Sequence, residues 1–179
     1  REFATARACA HSALRALGIV SEHIDKDHRG APVWPSGVVG SITHCRGYRG
    51  AAVSLTQDVK AIGIDAEPNE PLPKSVVRLV ANDQELAELP RYSGINWDKL
   101  LFSAKESIYK AWYPTMGTWL GFRDVFVSVN PDGDLVAQLI SPGAAAGPPF
   151  FPIKGRWLLQ NGILLTAVSF PVESDARAP

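Results

Sequence analysis

Cysteine is scarce, neither sign of charge is in surplus, and long apolar runs are missing; each shortage excludes something. Two cysteines, Cys9 and Cys45, in 179 residues do not make a disulfide framework. With no signal peptide visible, they point to a reducing cytoplasm. Eighteen basic residues cancel eighteen acidic ones. No global positive field therefore argues for nucleic acid, and any anion site must be local. No run approaches the roughly 20 apolar residues needed to cross a bilayer. His11, His23 and His28 stand at no metal-ligand spacing from one another or from a cysteine, which argues against zinc. The chain has no Walker loop, no G-x-S-x-G and no G-x-G-x-x-G. What remains is an ordinary globular composition, 46% hydrophobic and 20% charged. The start at Arg1-Glu2-Phe3, without an initiator Met, reads as the interior of a longer chain.

The order of elements is legible. An Ala-rich helix is predicted over about Thr5 to Leu17, ended by Gly18 in the left-handed conformation. Short β-like runs follow at Val38 to Thr43, Ala51 to Leu55 and Ala61 to Asp65. Three prolines between Pro68 and Pro73 fit neither helix interior nor central strand, so the join between two halves is expected there. The halves are 1–68 and 69–179. Asn82 and Glu85 have capping-box spacing. A long helix is expected from about Asn96 to Trp112, ending at Tyr113-Pro114. Strands are expected at Phe122 to Val129, Leu135 to Ile140, Arg156 to Gln160 and Ile163 to Phe170, the last two joined by an Asn161-Gly162 hairpin turn. Residues 141–152, rich in Gly, Ala and Pro, read as a surface loop, and the last few residues as a loose tail. This order predicts an α+β fold with mostly antiparallel sheets, in which each half is a helix followed by strands. An internal duplication with a cleft between the copies is the expected architecture.

The carboxylates carry the chemistry. Alternation along the strand puts Ile62, Ile64 and Ala66 on one face, marked for burial, and Gly63, Asp65 and Glu67 on the other. Gly63 is expected to leave open space beside two carboxylates. Like charges this close repel unless a cation or a basic group sits between them, and oxygen ligands suit magnesium. A solvated strand end is the plain alternative. On the long helix Glu106 and Lys110 share a face, either as part of a site or as a surface ion pair. Residues 40–50 supply hydroxyls, His44, Arg46, Arg49 and three glycines, which is either an anion seat or a polar hairpin loop.

Taken in order, three blocks resemble a known family. Gly-Ser-Ile-Thr-His-Cys (40–45), Gly-Ile-Asp-Ala-Glu-Pro (63–68) and Phe-Ser-Ala-Lys-Glu-Ser-Ile-Tyr-Lys-Ala-Trp (102–112) look like the signature of 4′-phosphopantetheinyl transferases. The chain resembles the surfactin/enterobactin type, and within it the actinobacterial enzymes. Trp34-Pro35 and Trp119-Leu120-Gly121-Phe122 add to the likeness, which runs from Phe3 to about Val168. The resemblance implies a pseudo-twofold pair of similar lobes with coenzyme A in the cleft between them. It implies magnesium held by Asp65, Glu67 and Glu106. The serine of an apo acyl or peptidyl carrier protein would attack the phosphorus next to pantetheine, giving holo carrier and adenosine 3′,5′-bisphosphate. Lys105 and Lys110 would stabilise the growing pyrophosphate charge. Glu106, directly or through a metal-bound water, would take the serine proton. Thr43 and His44 would meet the 3′-phosphate and adenine end, and Arg7 and Arg29 the phosphates. Relatives often carry a lysine where this chain has only Arg29 before Gly30. Trp112, Trp119 and Phe122 are candidates for an apolar slot for the pantetheine arm. The acidic carrier would dock after Pro73, near Lys74 and Arg78. The implied protein is a cytoplasmic monomer with no nucleic-acid or membrane partner.

Two other readings use the same residues. A magnesium-dependent hydrolase of nucleotides or pyrophosphate would put water where the carrier serine attacks. A coenzyme A- or carrier-binding module would have lost catalysis, against which stand the three acids and Lys110.

Overall fold

A computed structural model describes residues 2–21, 23–140 and 152–172, with the side chains of 2–4 left aside. The first helix, α1 (Glu2–Ala16), ends where expected. Gly18 takes φ +75, and the N–H of Ile19 returns to the carbonyl of Leu14 at 2.9 Å. Helix α1 packs on the hairpin β3 (Val38–Cys45) and β4 (Tyr48–Leu55). Ala10, Leu14, Ile24 and Val38 form a small core there. Two short strands, β1 (Asp25–Lys26) and β2 (Pro32–Val33), pair beside it.

The larger unit is a five-stranded sheet. Its strands are β5 (Val59–Pro68), β6 (Val125–Val129), β7 (Asp134–Leu139), β8 (Ile153–Gln160) and β9 (Ile163–Pro171), in the order β5-β9-β8-β7-β6. Every pairing among the described strands is antiparallel. The chain is thus α+β, as the element order requires. Asn161 (φ 52) and Gly162 (φ 76) make the β8–β9 turn, both in the left-handed region, as a two-residue hairpin needs. Strand β5 precedes the proline-rich join yet pairs along its length with β9. A division after Pro68 therefore separates two strands that share a ladder. The expected loop at 141–152 and the tail lie almost wholly outside the described residues.

Three helices follow β5. They are α2 (Lys74–Val80), α3 (Asp83–Glu88) and α4 (Trp97–Met116). The capping box forms: Asn82 accepts from the N–H of Glu85 at 2.8 Å, and Glu85 accepts from the N–H of Asn82 at 2.9 Å. Asn82→Ala is expected to cost about 1 kcal/mol of stability, read by urea unfolding.

Helix α4 overturns the expected stop at Tyr113. It runs through Pro114 to Met116 and ends at Gly117 in the left-handed conformation. A proline removes only its own N–H bond from the ladder. The next turn recovers: the N–H of Gly117 reaches the carbonyl of Tyr113 at 2.9 Å. The main core lies between α4 and the sheet, around Leu100, Leu101, Ala104, Ile108, Leu164 and Phe170. No described helix is long and apolar enough to cross a membrane.

Candidate active site

Along β5 the face chosen for burial is reversed at most positions: Ala61, Gly63 and Asp65 are buried, whereas Ile62 and Ile64 are only half-buried. Ala66 is buried as expected, and Glu67 is half-buried. The reason for the reversal is α4, which lies directly on the Gly63–Asp65 face. A Cβ at Gly63 would fall 1.8 Å from the carbonyl oxygen of Ser107 and 2.9 Å from the nitrogen of Ala111. Gly63 is therefore a contact point between strand and helix, not open space beside the acids.

That contact seats Asp65 on α4. The Lys110 ammonium lies 2.6 Å from Asp65 Oδ1 and 3.2 Å from the carbonyl of Ile64. The Ser103 hydroxyl donates to Asp65 Oδ2 at 2.8 Å. A buried carboxylate is tolerated when it is paired and hydrogen-bonded in this way. Glu67, two residues on, meets Lys99 at 3.2 Å. Glu106 is half-buried and, among the described residues, makes neither an ion pair nor a hydrogen bond. Burial and the charges of Asp65 and Glu67 push its carboxyl up, against the pull of Lys110. Burial, then the charges of Glu67 and Asp65, also push the Cys45 thiol up, so it is no activated nucleophile.

The free edge of β5 is closed by β3 side chains. Ser41 Oγ accepts from the N–H of Ile64 at 3.1 Å, and Thr43 Oγ1 accepts from the N–H of Ala66 at 2.9 Å. Thr43 is thereby held against Asp65, 3.4 Å from Oδ1. Thr43→Val keeps the shape and orphans the buried N–H of Ala66. A loss of about 1–3 kcal/mol is expected, measured by denaturant unfolding.

A cavity of about 410 Å³ opens beside these groups. Arg7, Arg29, Thr43, His44, Glu106 and Lys110 all line it. Asp27 shapes the Arg29 loop by accepting from the N–H groups of Arg29 and Ala31, at 2.9 and 2.8 Å. The Arg29 guanidinium lies over the Tyr113 ring, 5.4 Å from its centroid. A second cavity of about 240 Å³ is lined by Lys105, Glu106, Ile108, Tyr109, Trp119 to Phe122 and Val125. Trp119 and Phe122 border it. Trp112 does not; it is buried in the core, with its indole N–H on the carbonyl of Thr118.

Lys105 departs from its expected place. Its ammonium is buried on Glu85, Val80 and Phe122 and touches none of the acids at β5. Among the described residues no three acid, imidazole or thiol groups stand as a metal site; Lys110 pairs with Asp65 and Lys99 with Glu67. The sequence reading missed Ser103 and Lys99. A signal was available: Lys99, Ser103, Glu106 and Lys110 recur at helical spacing along one stripe of α4. Glu85 was legible only as a capping residue.

A family model for the 4′-phosphopantetheinyl transferase N-terminal domain matches residues 1–54, and one for the 4′-phosphopantetheinyl transferase superfamily matches residues 61–160. The chain belongs to the 4′-phosphopantetheinyl transferases, a family of enzymes. Among its relatives, 4′-phosphopantetheinyl transferase Svp of Streptomyces mobaraensis is 47% identical, over 94% of this chain and 71% of the relative. The transferase PptT of Mycobacterium tuberculosis is 42% identical, over 93% of this chain and 77% of its own. Enterobactin synthase component D of Salmonella typhi is 27% identical, over 99% of this chain and 76% of its own.

Proposed function

We propose that this enzyme moves the 4′-phosphopantetheine group of coenzyme A onto a serine of an apo acyl or peptidyl carrier protein, with magnesium. One observation carries the reading. The charges of Asp65 and Glu67 act on Glu106, whose carboxyl makes no ion pair or hydrogen bond among the described residues, beside a cavity whose wall carries Arg7, Arg29, His44 and Lys110. An acidic pole next to a basic wall suits a metal-bound polyphosphate better than either alone.

Asp65, Glu67 and Glu106 would hold the magnesium, an all-oxygen donor set of the kind this ion takes. Bound magnesium would neutralise phosphate charge and steady the leaving oxygen. The remaining work falls to the chain's own groups. Thr43 and His44 meet the 3′-phosphate and adenine end, and Arg7 and Arg29 grip the phosphates. The pantetheine arm enters the slot bordered by Trp119 and Phe122. Lys110 meets the charge that grows on the leaving pyrophosphate oxygen. Glu106 takes the proton of the carrier serine as its oxygen bonds to phosphorus. The phosphorus–oxygen bond to adenosine 3′,5′-bisphosphate breaks, and that product leaves with the electron pair.

Two helix-on-sheet units, α1 on β3–β4 and α4 on the larger sheet, support a pseudo-twofold pair of lobes with coenzyme A between them. We read the enzyme as a cytoplasmic monomer, in keeping with its two free cysteines. The carrier would approach over α2, near Lys74 and Arg78.

Mixing the protein with magnesium, coenzyme A and an apo carrier, then weighing the carrier by mass spectrometry, tests the reading. The expected result is a gain of one phosphopantetheine group that disappears with EDTA. Breakdown of coenzyme A or a nucleotide without carrier would instead identify a hydrolase. Binding without either reaction would leave only a binding module.

A further inference from the structure

The buried Lys105–Glu85 pair belongs to no step above, yet both of its charged groups are fully engaged in hydrogen bonds. An ammonium has three N–H donors and no acceptor. Lys105 directs them to the carbonyl of Val80 at 2.9 Å, the carbonyl of Phe122 at 2.7 Å and the carboxylate of Glu85 at 2.7–2.8 Å. Its side chain is 2% exposed and that of Glu85 fully buried. No N–H is left to reach a phosphate. The Glu85 carboxylate is equally committed. Besides Lys105 it accepts from the N–H of Val127 at 2.9 Å and from that of Asn82 at 2.9 Å. One ion pair thus joins the end of α2, the start of α3, helix α4, the turn at Phe122 and strand β6.

Its location gives the pair a task. Lys105 precedes Glu106 on α4, and both line the 240 Å³ slot. The opposite wall of that slot is the segment Trp119 to Phe122. The carbonyl of Phe122 is the one that Lys105 holds. The hydrogen bond therefore ties the slot's far wall to the helix that carries Glu106. Trp119 at the rim is well exposed, and its ring leans on Tyr109, 5.0 Å between centroids. The same segment is also held by the indole N–H of Trp112 on the carbonyl of Thr118, by buried Leu120 and by the Phe122 ring against Phe102; Lys105 is its charged anchor to α4.

We infer that Lys105 is a positioning residue. Through Glu85 and the Phe122 carbonyl it sets the width of the slot beside Glu106, and it does not contact the phosphates of the substrate. The inference rests on the transferase reading for what fills the slot, namely the pantetheine arm. An alternative role as a phosphate ligand would require the ammonium to abandon three buried acceptors, which a folded interior resists.

The test uses the double variant Lys105→Met/Glu85→Gln. It leaves no unpaired buried charge; the glutamine oxygen replaces one of the two carboxylate oxygens that accept from Val127 and Asn82, so the fold should survive with some loss of stability. Circular dichroism and thermal unfolding check this. Two probes are compared: coenzyme A, and 3′-phosphoadenosine 5′-diphosphate, which carries all the phosphates but no arm. The expected result is a KM for coenzyme A raised about tenfold or more, kcat reduced less, and affinity for the armless probe unchanged within about twofold. Fluorotryptophan labelling adds a signal that needs no turnover. The ¹⁹F resonance of Trp119, assigned with Trp119→Phe, should shift or broaden in the double variant while that of Trp34 stays in place. Equal weakening of both probes would overturn the inference in favour of direct phosphate contact. Unchanged kinetics with an unmoved Trp119 resonance would overturn it as well. A wild-type protein that leaves the carrier's mass unchanged counts against the transferase reading alone, since the Trp119 signal is read without any reaction.

Discussion

Glu106→Gln is expected to lower transfer to an apo carrier by about 10²- to 10⁴-fold, the range for removing a general base. The glutamine keeps the shape and loses the charge proposed to take the proton and to bind metal. The fold should be unharmed, because Glu106 makes no ion pair or hydrogen bond among the described residues. Its charge is moreover repelled by Asp65 and Glu67. Rates from carrier mass and melting temperatures from calorimetry measure the two halves of the prediction. A loss smaller than tenfold would mean that another group takes the serine proton. A matching loss of stability would mean that Glu106 is structural.

Gly63→Ala tests the other side of the same seam. A Cβ there sits 1.8 Å from the carbonyl oxygen of Ser107, and that oxygen belongs to helix backbone that cannot rotate aside. Added bulk in a packed core costs about 1–3 kcal/mol when side chains can adjust. Here only the backbone can, so about 3 kcal/mol or more is expected. For a domain of this size that lowers the melting temperature by roughly 6–12 °C. The strand would have to lift from α4, drawing Asp65 from Lys110 and Ser103. Activity should therefore fall together with stability, unlike in Glu106→Gln.

The two variants bear on what the sequence reveals. Local rules read correctly wherever a local cause decides. Gly18 ends α1 because only glycine takes that backbone freely. Asn82 and Glu85 cap α3 reciprocally, and Asn161-Gly162 closes the hairpin. Pro114 was misleading for a physical reason: the helix tolerates one missing N–H when its neighbours pack well, and Ala111, Trp112 and Tyr113 are all buried.

The site was legible in its membership more than in its geometry. Asp65, Glu67, Glu106 and Lys110 stand out through spacing and family likeness. That Asp65 is buried ran against its chemistry. Hydrophobicity pointed to the Ile62–Ile64 face, but burial of a carboxylate depends on partners that lie 38 and 45 residues away. The same holds for Lys105. Beside Glu106 in sequence it looks like a member of the acidic site, whereas one step along a helix turns a side chain by about 100°. The turn carries Lys105 to Glu85, Val80 and Phe122.

By itself, then, the sequence determined the antiparallel α+β framework, several element ends and which acids and lysine to propose for the site, because each follows from a local conformational preference or a short fixed spacing. Only the tertiary structure decided which face of β5 meets α4, that β5 joins the C-terminal sheet, and which of two lysines five residues apart faces the acids. Those choices depend on where distant acceptors and backbone surfaces come together, and no window of adjacent residues contains them.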